Sequence, residues 1–203
     1  MHLVFDIFQG IGVAAAMGIR PFLPALVTGA LAAGDVELSF THTHFHFLQQ
    51  TPFLLVMVVA IVIVALIERR TAARTGPPAA GGGGNRVLAV ALALCGLALG
   101  ALFCGGAIAR SHHSQWIGVI AGIVCAGIGV AAVQPLLRRV RARLDDQAGG
   151  VLPVLVEGVA ALSAALSVVA PPIGVILVAA LVWLLVAGRG RPEQKYAGLR
   201  ILR

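Results

Sequence analysis

Three histidines, His42, His44 and His46, occupy alternate positions in ELSFTHTHFHFLQQTPF, residues 37–53. In an extended chain, residues two apart point to one side. The three imidazoles would then line one edge, and neutral imidazole is a good ligand for zinc, copper or nickel. No cysteine or firmly placed carboxylate completes such a set, and in a helix the three rings would fan apart. Phe40, Phe45 and Phe47 also suit a segment lying among lipid headgroups with its histidines facing water. An interfacial loop is therefore the favoured expectation. A divalent transition metal is the competing one, and no other cofactor is implied.

Four further ionisable residues fall inside or at the ends of apolar runs. Charges within a membrane span are costly and point to function by default. Glu157 lies a third of the way into its run, one residue before Gly158. There it could bind a cation, accept a proton, or pair with Arg20. Arg20 interrupts another run at GIRP, residues 18–21, where it could hold an anionic group. Asp6 sits near the start of the first run and suits either a site or an interface. Glu68 ends its run beside Arg69 and Arg70 and is expected to be interfacial. No nucleophile–base pair, catalytic carboxylate pair or cofactor fingerprint accompanies these residues, so enzyme activity is disfavoured. A lipid-phosphate enzyme built from Glu157, Arg20, His112 and His113 ranks behind the other readings.

The elements that must position these groups follow from composition. The chain has 203 residues, 59% of them hydrophobic and 11% charged. A soluble domain carries roughly 25% charged residues. Several continuous apolar runs reach the roughly 20 residues that cross a hydrocarbon core, whereas a β-barrel would alternate in segments of about ten. The expected fold is all-α, a polytopic membrane helical bundle. The net charge of +7 lies between the runs and at the C-terminus, so it argues for membrane orientation and not for nucleic acid. Cys95, Cys104 and Cys125 form no CxxC pattern and read as small buried hydrophobes.

Spans are expected at 53–68, 87–109, 115–136, 151–169 and 172–188. Proline removes a backbone donor and disfavours helix in the residue before it, so 1–34 is split at Pro21 into 3–18 and 21–34. This makes about seven spans, or six if 1–34 is one helix. The arginines of 69–86 and 137–150 and the basic tail 189–203 are expected to be cytoplasmic, and 35–52 outside. The chain is thus expected in a cytoplasmic (inner) membrane, multi-pass, with its C-terminus in the cytoplasm. Residues 71–86 read as a Gly/Pro linker.

LPALVTG (23–29) and LPVLVEG (152–158) agree at five of seven positions. This aligns Thr28 with Glu157. The chain then reads as a first repeat, 1–70, a linking span, 87–109, and a second repeat, 115–188. The linking span would make the repeats parallel, a known transporter plan with the substrate site at the repeat interface. Gly96, Gly100, Gly118 and Gly122 form two GxxxG patterns suited to close helix packing, within one chain or against a second copy or another membrane protein.

GIRPFLPALVTGALA, TPFLLVMVVAIVIVALIE and GGVLPVLVEGVAALSAALSVVAPPIGVILVAALVWLL together resemble the bacterial integral membrane family known as domain of unknown function 4126. The segment ERRTAARTGPP departs from that family's acidic/basic/proline pattern. The resemblance implies a membrane location and carries over no catalytic residue. The leading functional expectation is a small transporter or flippase-like protein with a polar site near Glu157, the residues being Glu157, Arg20, Thr28 and Asp6. The second is a non-catalytic scaffold or subunit that binds partner helices through its glycine faces.

Overall fold

A computed structural model describes residues 2–36, 43, 45–74, 83–110, 115–141 and 146–189. The described chain is all-helical and forms a membrane bundle. Its helices are α1 (His2–Ile19), α2 (Phe22–Ala33), α3 (Thr51–Arg74), α4 (Gly83–Ala109), α5 (Gln115–Arg141), α6 (Asp146–Val169) and α7 (Pro171–Arg189). A 3₁₀ turn, His46–Gln49, precedes α3. Five helices, α3 to α7, are long and apolar enough to cross a membrane, and α1 and α2 are shorter apolar helices. The helices overrun the expected linker: residues 71–74 continue α3, and α4 begins at Gly83. Once a helix leaves the hydrocarbon its backbone bonds still propagate at little cost, so a polar sequence alone does not stop it. Residues 75–82, the tail 190–203, and His42, His44, His112 and His113 lie outside the described residues.

The segment 2–33 is two helices, broken at Arg20–Pro21. Pro21 has no N–H to give to the Met17 carbonyl one turn back. The chain leaves the helix at Arg20 and re-enters it at Phe22.

The small residues reveal where this break lies. A Cβ on Gly18 would fall 2.1 Å from the Ala126 carbonyl oxygen, and one on Gly96 would fall 2.7 Å from that of Met17. Gly129 lies in the same way against Ala15 and Gly18. Ala126 and Gly96 are near the midpoints of the apolar stretches Gln115–Leu137 and Val87–Ala109. The α1–α2 break therefore sits about halfway along α4 and α5. We call the end with the α4 C-terminus and the α5 N-terminus the upper end. The other end of α1 packs there, with Gly10 beside Ala107 and Gly12 beside Gly174 of α7. At about 1.5 Å per residue, α1 is about 27 Å long and α2 about 18 Å. The two form a hairpin that descends from the upper end, turns at mid-depth and climbs back to the 3₁₀ turn.

Helix α1 is the central element, packed on α4, α5, α6 and α7. Ala14, Ala15, Ala16 and Met17 are fully buried, and the run of alanines lets four helices converge on one. The four GxxxG glycines serve this packing inside the chain. Gly118 lies against Cys104 and Gly105, Gly122 against Gly100 and Ala101, and Gly96 against Met17. No described glycine has positive φ, so close approach is their reason and turn geometry is not.

Helix α2 packs on α6, which sets the elements carrying LPALVTG and LPVLVEG side by side. The halves do not make equivalent contacts, however. Among the described residues, α1 packs on α6 and α7, whereas its counterpart α5 packs on α7 and makes no comparable contact with α2 or α3.

Candidate functional site

The break carries the site. Arg20 is the first residue past the C-terminus of α1, where a cation is favoured by the exposed carbonyl ends. Its side chain is 7% exposed, and its Nη1 donates a 2.8 Å hydrogen bond to Glu68 Oε1 on α3. Glu68 is 24% exposed. The reason for the pairing is geometric. Gly29 of α2 lies beside Leu54 of α3, and α3 then continues well below the start of α2. A long arginine at the foot of the hairpin spans the difference.

Glu157 reaches the same place from α6. It is half-buried, and the charges of Arg20 and Glu68 both act on it. An ion pair and a second carboxylate near enough to feel its charges, from three separate elements, thus lie beneath a mid-depth helix break. Of the alternatives open to Glu157, direct pairing with Arg20 is not the one seen: Arg20 pairs with Glu68. Glu68, expected to be interfacial, turns inward because the face Phe53, Met57, Ala60, Val64 and Glu68 recurs every three or four residues and follows the bundle. Arg20 lies at the foot of the hairpin, about halfway along α4 and α5.

Thr28 lies on α2, two turns beyond the break and fully buried. Among the described residues, its Oγ1 is the buried side-chain oxygen with no hydrogen-bond partner. Asp6 is half-buried on α1, 14 residues or about 21 Å along the helix from Arg20, so it does not join the cluster. His46 is exposed at the start of the 3₁₀ turn, with Gln50 Nε2 donating to its Nδ1 at 3.2 Å. His46 therefore lies in helical rather than extended backbone. Among the described residues, no three His, Cys, Asp or Glu side chains group closely enough to hold a metal.

Sequence reading missed three polar contacts of α6. Gln9, 3% exposed on α1, donates from Nε2 to the Val168 carbonyl at 3.0 Å. Ser163 and Ser167 donate back to the carbonyls of Val159 and Ser163 at 2.8 and 2.7 Å, extending a polar line up α6 from the level of Glu157. A groove of about 360 Å³, lined by Val130, Ala131, Gln134, Pro135 and Arg139 of α5, includes none of the three cluster residues.

The arrangement can hold or exchange ions and protons, or lock three elements together. It contains no nucleophile poised beside a base. No family model, curated protein or solved structure matches this chain.

Proposed function

We propose that this chain is a small membrane transporter or flippase-like protein whose polar site is Arg20, Glu68 and Glu157, with Thr28 on the adjoining helix. The observation that carries this reading is the Arg20–Glu68 ion pair, set with Glu157 beneath a helix break at mid-depth. Broken helices at the midplane are how transporters expose polar groups without exposing backbone to lipid. The scaffold reading draws less support, since the glycine faces that would bind a partner are occupied by α1, α4 and α5 of the same chain. The resemblance to domain of unknown function 4126 adds a bacterial inner-membrane setting, and the arginine distribution adds a cytoplasmic C-terminus.

The test uses purified protein in vesicles of phosphatidylethanolamine and phosphatidylglycerol. Trapped pyranine reports proton movement under an imposed gradient, and a fluorescent phosphatidylglycerol with external quencher reports lipid flipping. Wild type should exceed empty vesicles in one of the two assays, and Glu157→Gln should return to the empty-vesicle rate. No excess in either assay would overturn the reading.

A further inference from the structure

The attachment of α3 differs from that of every other spanning helix. Only 6% of its span is buried, against 33% for α4 and α5. Among the described residues it packs on α2 and on the 3₁₀ turn and makes no comparable contact elsewhere. Its hold is uneven along its length. At the upper end Met57 is buried, Phe53 packs on the core, and the Phe53 ring stands 6.0 Å from Phe47 and 6.2 Å from Phe103. Below Met57, no residue from Val58 to Arg70 is buried, and the inward edge Ala60, Ile61, Val64 and Glu68 is only half-covered. The hairpin it leans on stops at Arg20, so the lower end of α3 continues past its supporting helix. An ion pair at 2.8 Å between Glu68 and Arg20 draws that end inward.

We propose that the Arg20–Glu68 pair is a latch that holds the lower half of α3 on the bundle, with Glu157 as the second seat for the same guanidinium. Moving Arg20 from one carboxylate to the other keeps one ion pair in both states. The two states therefore differ little in electrostatic energy, as a two-position element requires. Glu157 sits on α6, which is packed on α1, α2 and α7, so Arg20 turned toward it stays anchored to the bundle while α3 is freed. The upper aromatic contacts act as the pivot. Release of α3 opens the cluster sideways to the bilayer, which gives a lipid-facing route to the polar site. This device rests on the proposed transport function of the cluster.

Electron–electron distance measurement on the full chain tests the latch without any flux assay. With Cys95, Cys104 and Cys125 replaced by alanine, spin labels are placed at the exposed positions Leu66 on α3 and Val186 on α7. The wild-type cluster should give a dominant short distance. Glu68→Gln should add or enlarge a population longer by roughly 5 Å, the scale of a one-turn displacement. Glu157→Gln should shift the distribution toward the short distance, because Arg20 then has only Glu68. An unchanged distribution in Glu68→Gln overturns the latch. Equal lengthening in Glu157→Gln also overturns it, because both changes would then merely loosen the bundle. Either result can be obtained whether or not vesicle flux is seen, so failure of the latch and failure of the transport reading are separate outcomes.

Discussion

Gln9 of α1 donates a 3.0 Å hydrogen bond to the backbone carbonyl of Val168, 159 residues away. The last carbonyls of a helix have no intrahelical donor. Val168 is one residue from the end of α6, and the bond answers one of these orphan acceptors with a buried side chain. It also explains why α1 carries a glutamine where alanine would pack more simply. Gln9→Leu should leave the carbonyl unsatisfied in a dry environment and cost about 1–3 kcal/mol. Denaturation in mixed micelles measures it, and a leucine variant as stable as wild type would show that water or another donor serves Val168.

Two helical glycines give opposite expectations for the same change. A Cβ on Gly122 would stand 2.4 Å from the Gly100 carbonyl oxygen and 2.9 Å from the Ala101 Cα, both backbone atoms that cannot rotate away. A Cβ on Gly158 would meet nothing within 4 Å. Gly122→Ala should push α4 and α5 apart and lower the unfolding temperature in detergent. Gly158→Ala should be neutral or stabilising by up to about 1 kcal/mol, the helix-propensity difference. Similar losses in both would mean that the α4–α5 contact is not tight.

Much of this architecture is legible in the chain because one rule dominates a membrane sequence. Every backbone group must be satisfied internally, so a long apolar run is a helix. Pro21 marks the break for the same local reason. Depth was harder to read. Nothing in GIRP states that the turn stops halfway down the bundle, because depth depends on what α1 packs against. Partner choice for Arg20 was harder still. Glu68 ends one apolar run and Glu157 lies a third of the way into another, and only the reach of the arginine past the foot of α2 decides between them. The face periodicity of α3 was the available signal, since Glu68 lies in register with Phe53, Met57 and Val64. The LPxLVxG likeness carries no equivalent weight, because the two halves contact their neighbours differently.

Topology offers a direct test of the hairpin. The structure sets Asp35 at the same end as Arg110, and Arg70 and Arg139 at the opposite end. Single cysteines at these positions should react with a membrane-impermeant maleimide in two groups. In intact cells Asp35→Cys and Arg110→Cys should label, and Arg70→Cys and Arg139→Cys only after permeabilisation, if the arginine-rich ends are cytoplasmic. Labelling of Asp35→Cys and Arg139→Cys from the same side would break the arrangement.

The last prediction separates the two carboxylates by stability. Glu68→Leu removes the partner that Arg20 holds at 2.8 Å, and Glu157→Leu removes a carboxylate that only acts on it from nearby. Breaking a fully buried pair costs about 3–5 kcal/mol because the remaining charge is left uncompensated. Glu68 is 24% exposed, so screening reduces its share to about 1–3 kcal/mol. Glu157→Leu should cost less, since Arg20 keeps its salt bridge. The two changes should not add. After either one, the guanidinium can still face one carboxylate; after both, it faces none at mid-depth in the bundle. The double variant should therefore lose more stability than the sum of the singles, by an amount on the order of 1 kcal/mol, which a double-mutant cycle resolves. Simple additivity within experimental error would mean that Glu157 does not share Arg20, and that its place at the break must be explained by something other than this guanidinium.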